Sequence, residues 1–401
     1  MARAAGAPLR EREASQRPTF LELFFDLVFV LVFGQLSRAL FADLTWSGAL
    51  QALVLLVAML RVWFGTTWVT NRLDAHLPAV RLLVSATVLG MLLMAAASPN
   101  AFGIYGLVFA TVRVAVHLGR AAILVVALHG HDLQRIAWQS AVWAGLSSVP
   151  WIAGAYTHGA GRILLWLLAN LIDYVSYAID FRLPGAHRLP AWEPPASPEH
   201  LAERYQQFII VALGELILVS GLVLTNHRFT PARVAALVLS TAGIGLLFRI
   251  YIHRAGQLQS AAFASRSHIA RRWVPYIHIV MIAGIVVVAV ADALVITSPG
   301  SWMDWAAAFV ILGGPALFLI GRGGFEYLVF NRVSWTRPVG VLALVALTPA
   351  ALHMSRLPAT AISVAVLTGV ALADTARART HPGEISRPQA GHPGRSSATE
   401  P

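Results

Sequence analysis

The 401-residue chain contains no cysteine and no lysine. The first absence removes disulfides, thiol catalysis and thiolate metal sites in one step, and leaves the redox compartment unspecified. The second makes all 30 basic residues arginine. Charge of either sign is scarce: charged residues are 12% of the chain against 57% hydrophobic, and the mean hydropathy is +0.67, far from a soluble domain. Also absent are G-x-S-x-G and H-E-x-x-H, so no soluble catalytic domain is expected, and no recognisable nucleophile or metal set argues for an enzyme. The net charge of +11 would suit a nucleic-acid binder, but the arginines sit in short connections between apolar runs, where positive charge sets orientation. No nucleic acid partner and no cofactor are expected.

What is present is a series of apolar runs of helix length. About 20 apolar residues span the ~30 Å hydrocarbon layer, and only helices or closed barrels satisfy their backbone there. The fold class is therefore all-α, a polytopic transmembrane helix bundle whose first partner is the lipid bilayer. Twelve candidate spans read as 19–41, 48–70, 79–97, 103–128, 136–154, 161–180, 201–224, 232–251, 272–296, 302–320, 338–353 and 358–374. The last two are short, so ten crossings is the alternative. With arginines in the first or last three residues of a span counted to the adjoining connection, 21 fall to the side carrying both termini, 4 to the other, and five lie further inside spans: Arg38, Arg61, Arg113, Arg120 and Arg204. That asymmetry places both termini in the cytoplasm.

Residues 1–18 and 375–401 read as disordered cytoplasmic tails. Residues 181–200 carry five prolines and form a cytoplasmic connector between a first transmembrane half, 19–180, and a second, 201–374, of about six helices each. The first span is expected to stay in the mature protein, because its apolar part carries acids and lacks a small-x-small cleavage site. Laying the second half on the first aligns "VFGQL" (32–36) with "ALGEL" (212–216) and brings Glu22 within one position of Glu203. A six-plus-six parallel tandem repeat would relate the halves by an axis along the membrane normal.

Ionisable side chains inside spans cost about 2.5–3.5 kcal/mol each and face the bundle or a water cavity. In "RPTFLELFFDLVFVLVFGQL" (17–36), Glu22 and Asp26 are four residues apart on one face, so a cation, a basic partner or protonation must relieve their repulsion. Two readings stand: a cation or proton site, or a structural pairing with Arg72 or Arg204. Glu203, Arg204 and Gln207 open the seventh span, with Glu215 near mid-bilayer; by depth its expected partners are Arg61 and Arg113. Arg113, His117 and Arg120 share one helix face, a counter-charge stripe for Glu215, Asp173 and Asp26. Asp173, His278 and Asp292 complete the set, and His117 with His278 are candidates for a proton relay. "HGHD" (129–132) reads as a solvated loop, "GRGGF" (321–325) lacks the Lys and Ser/Thr of a phosphate loop, and "VWFGTTWVTN" (62–71) reads as an interfacial aromatic belt.

"LELFFDLVFVLVFGQLS" (21–37), "GTTWVTNRLD" (65–74), "HLAERYQQFIIVALGELIL" (200–218) and "YIHIVMIAGIVVVAV" (276–290) resemble signature blocks of the bacterial low temperature requirement A family. The resemblance implies a multi-pass inner-membrane protein, named for a cold-growth phenotype, and supplies no catalytic residues. Members usually read close to E-R-F-G and G-E-S where this chain has "ERYQ" and "GEL", so a Ser–Glu pair beside Glu215 is lost at Leu216. "FFDLVF" (24–29) is also distantly similar to the F-S-D motif of lysosomal-type potassium channels. The expected function is a secondary transporter or permeation protein whose acidic cavity, built by Glu22, Asp26, Asp173, Glu203 and Glu215 with Arg61, Arg113 and Arg204, handles a cation or a proton-coupled small solute. The alternatives are a cation channel and a non-transporting protein of envelope or cold adaptation.

Overall fold

A computed structural model describes residues 17–131, 133–183, 197–252 and 268–380. The tail stretches 1–16 and 381–401, the connector's 184–196 and Asp132 of the "HGHD" loop lie outside the described residues. Every regular element among the described residues is a helix. The first group is α1 (Phe20–Ala42), α2 (Trp46–Arg72), α3 (Pro78–Ala97) with a short 3-10 turn at Ser98–Asn100, α4 (Gly106–Ala127), α5 (Leu133–Ala155) and α6 (Ala160–Ala178). The second is α7 (Pro198–Thr225), α8 (Pro231–Ile252), α9 (His268–Thr297), α10 (Trp305–Ile311), α11 (Gly313–Phe330), α12 (Thr336–Ala351) and α13 (Arg356–Thr380). Nine helical segments of the described chain are long and apolar enough to cross a membrane; α12 is shorter, and α5 and α6 have the length but are less apolar.

Several boundaries differ from the sequence reading for physical reasons. The run expected at 302–320 is divided at Leu312 between α10 and α11. Pro315 has no N–H to return to the Ile311 carbonyl, and the Ser363 hydroxyl donates to that oxygen instead, at 3.1 Å. Beyond the break α11 continues to Phe330, because Arg322 and Glu326 are buried within the bundle rather than exposed in a connection. Likewise α13 runs to Thr380, into the stretch read as tail, and α7 starts at Pro198, inside the stretch read as connector, with the Ser197 side chain accepting from the His200 N–H.

Hydrogen bonds at the connections assign the helix ends. At one end Arg162 donates to Ala101 O and Gly103 O, Arg233 to Thr297 O, and Arg356 N–H to Ser301 O. At the other, Asn71 donates to Ser197 O, Arg272 pairs with Asp180, and Arg249 donates to Thr375. Successive helices therefore run up and down. In the first group α1 packs on α2 and α3, α3 on α4, α4 on α5, α5 on α6, and α6 returns to α2. In the second, α7 packs on α8 and α9, α9 on α11, α11 on α12, α12 on α13, and α13 returns to α8. Each group closes into a ring, and the rings meet where α1 and α2 touch α7 and α9.

Candidate functional site

The joint between the rings holds the acids of α1. Thr19 caps that helix, and Glu22 completes the capping box, its Oε2 accepting from the Thr19 N–H at 2.8 Å and the Thr19 hydroxyl at 3.0 Å. His200 of α7 brings Nε2 to 3.2 Å from the Glu22 carboxylate, and its Nδ1 faces the Asn71 amide at 3.2 Å. The Asn71 amide donates, so Nδ1 is the acceptor and a ring proton sits on Nε2, pointing at Glu22. One turn along, Asp26 accepts from both terminal nitrogens of Arg204, at 2.6 and 2.8 Å, and from the Trp63 indole N–H at 2.7 Å. Trp63 in turn stacks on Phe208, ring centroids 4.0 Å apart. Glu22 and Asp26 are each 1% exposed. Their like charges are held by Arg204 and His200 in a buried clamp of α1, α2 and α7, so of the two partners expected from sequence it is Arg204 that binds Asp26. Trp63 is fully buried there, not interfacial as its aromatic-rich stretch had implied.

A second group lies inside the first ring. Arg113 donates to Asp173 at 2.7 Å, His117 Nε2 stands 3.5 Å from the same carboxylate, and Arg120 donates to His117 Nδ1 at 2.9 Å. The stripe on α4 thus converges on Asp173 alone and reaches neither Asp26 nor Glu215 by an ion pair among the described residues. Arg120 passes across α2 where Gly65 leaves room; a Cβ there would meet its guanidinium. Arg61 is 4% exposed, its Nε has no hydrogen-bond partner, and its guanidinium lies 5.7 Å from the Tyr177 ring centroid and 5.9 Å from that of Phe181. Arg61, His117 and Arg120 line a cavity of about 40 Å³ enclosed by α2, α4, α5 and α6.

The remaining predicted residues are dispersed. Glu215 is 2% exposed where α7 crosses α1, its Oε1 against Gly34 and its Oε2 without a partner, and the nearby charge is Arg38 of α1, not Arg61 or Arg113 as depth implied. Arg38 itself donates to the Gly34 carbonyl at 3.2 Å. Glu203 is only half-buried and joins no ion pair among the described residues. His278 bonds through Nδ1 to the Val274 carbonyl at 2.9 Å and packs edge-on to Tyr205 and Phe325, with no bond to His117. The second ring encloses its own cavity, about 30 Å³, lined by Asp292, Ser240 and Thr360. Asp292 faces Ser220 and Ser240, its Oδ2 lacks a hydrogen-bond partner, and it has no ion pair among the described residues. Sequence reading missed one cluster entirely: Arg337 holds Glu326 at 3.0 Å and Asp374 at 2.7 Å, with Arg322 4.0 Å from Glu326. The i,i+4 placement of Arg322 and Glu326, continuing the apolar run, was the available signal.

Two helical rings joined by a buried charge clamp, with cavities bearing ionisable groups and most spans apolar enough for lipid, define a multi-pass helical membrane protein. Within that class the chain belongs to the bacterial low temperature requirement A (LtrA) family, whose model matches residues 17–372. A protein of Rhizobium meliloti (strain 1021) described as uncharacterized is 30% identical over 345 residues, covering 84% of each chain. No solved structure matches.

Proposed function

We propose that this chain is a secondary transporter of the bacterial inner membrane, built as twelve crossings in two six-helix halves of common origin, with both termini cytoplasmic. One observation carries the reading: each ring holds a cavity lined by a buried ionisable group without an ion pair among the described residues, Arg61 and Arg120 in the first and Asp292 in the second. Charges that serve architecture alone are paired, as Asp26 is by Arg204; an uncompensated buried charge costs several kcal/mol and points to a mobile partner. The repeat is supported by the identical order of neighbours in the two rings, and the orientation by the arginine-poor end that carries Arg162, Arg233 and Arg356. Within this reading Glu22, Asp26 and Arg204 hold the halves together, Arg113 and Asp173 wall the first cavity with His117, and Glu215 and Asp292 are the carboxylates available to carry a proton or cation. Glu203 and His278 are assigned no part.

Proteoliposomes containing a trapped pH indicator test the proposal. A pH gradient imposed with acetate, phosphate or potassium salts is expected to relax faster with protein than without, and Glu215→Gln and Asp292→Asn are expected to abolish the difference. Equal relaxation with and without the wild-type protein in all three salts overturns it. The buried pairing of Asp26 favours the non-transporting reading for α1 alone, and Asp26→Asn is accordingly expected to lower folding yield without changing the flux per folded molecule.

A further inference from the structure

We propose that the cavity inside the first ring is a binding site for a small oxyanion, gripped by Arg61 and Arg120. Arg61, Arg113 and Arg120 bring three guanidiniums into one buried neighbourhood, and the carboxylate that serves it is Asp173, already bonded to Arg113 at 2.7 Å. His117 does not supply the missing negative charge: its Nδ1 accepts from Arg120, which leaves the proton on Nε2 facing Asp173. Two positive charges therefore remain, on side chains 4% and 8% exposed.

Hydrogen bonding agrees with the charge count. Arg61 has ring faces on two sides but no bonded acceptor for Nε, and Arg120 reaches, besides His117, the Val62 carbonyl at a long 3.4 Å. Buried guanidiniums ordinarily find planar acceptors, and a carboxylate or phosphate matches their forked donors. Ser140 and Ser176 add hydroxyls at the wall, and Trp68 and Trp143 add indole rings. The cavity, about 40 Å³, has room for a few waters or one small anion; waters satisfy donors but cancel no charge. Its position follows from the helices: it sits between the C-terminal halves of α2, α4 and α6 and the start of α5, at the arginine-rich end of the bundle. The cavity of the second ring is lined instead by Asp292 and hydroxyls, so the halves differ in the sign of charge they present. That the bound oxyanion is also the species moved rests on the transport reading; the binding itself does not.

The test uses the full-length protein in detergent, titrated calorimetrically with sodium acetate and with sodium phosphate in a chloride background. One of the two oxyanions is expected to give saturable heat; which one identifies the carboxylate or the phosphate class. Arg61→Gln and Arg120→Gln are each expected to weaken binding roughly tenfold or more, as loss of a charge-assisted hydrogen bond implies, whereas Arg81→Gln, an exposed arginine at the same end, leaves it unchanged. A second measurement guards against misfolding. Removing an uncompensated charge should raise the melting temperature in oxyanion-free buffer, so Arg61→Met is expected to be more stable than wild type there and to gain nothing from added oxyanion. Absence of saturable heat with both probes, or an Arg61→Met protein less stable than wild type in both buffers, overturns the proposal. Flux without saturable binding would sink this site and spare the transport reading; binding without flux would do the reverse.

Discussion

Asp26 is satisfied three times over, by two nitrogens of Arg204 and by Trp63, with Phe208 stacked behind the indole. In so buried a setting the value of the pair lies in what its breakage leaves behind: removing one partner of a buried ion pair costs about 3–5 kcal/mol, while removing both is often close to neutral. Arg204→Gln is therefore expected to lower the melting temperature of the detergent-solubilised protein strongly, and Asp26→Asn with Arg204→Gln to recover most of that loss. Thermal unfolding of the four proteins in the cycle measures it; strictly additive effects would show that the two side chains do not act as a unit. Arg204 was legible as a partner because it is a charge in an apolar run. Trp63 and His200 were not, since the first bonds across 37 residues and the second across 178, and neither distance leaves a mark on local composition.

Elements are held by backbone approach as much as by charge. The α9–α11 seam is a close backbone approach: a Cβ at Gly284 would stand 2.6 Å from the Phe318 N and 3.0 Å from the Gly314 carbonyl. Between apolar helices in lipid, such close packing replaces the hydrophobic drive that water would supply. Gly284→Ala must push α11 away or strain it, at about 1–3 kcal/mol. Gly369 of α13 has nothing within 4 Å of the same position, and Gly369→Ala is expected to be neutral or stabilising by up to about 1 kcal/mol through helix propensity. Paired melting curves check the contrast; equal effects at the two sites would refute the seam. Helix existence was readable from runs of apolar residues, and most ends fell close to the expected positions. The tenth span was misread because apolarity reports burial in general: it neither registers the carbonyl freed by Pro315 nor distinguishes a helix that ends at 320 from one that continues with Arg322 and Glu326 buried.

At the scale of the whole molecule the alternation of connections makes one prediction that depends on no side-chain contact. Connections α5–α6 and α9–α10 belong to the end where Arg162 and Ser301 make their bonds, and connections α2–α3 and α11–α12 to the other. If every helix column crosses the membrane, His158 and Ser301 face one compartment and His76 and Val333 the opposite one, all four being solvent-exposed. Because the chain has no native cysteine, each position can be replaced by Cys on a silent background. In intact cells a membrane-impermeant maleimide is expected to label His158→Cys and Ser301→Cys and to spare His76→Cys and Val333→Cys until the membrane is opened. The less apolar α5 and α6 decide the matter: were they to lie on one surface, the parity between His76 and His158 would survive only if α3 and α4 lost a crossing as well. Labelling of His158 from the same side as His76 would therefore reduce the first ring to fewer than six crossings. It would also separate the two halves, since the second ring would then keep a neighbour order that the first shares in packing but not in topology.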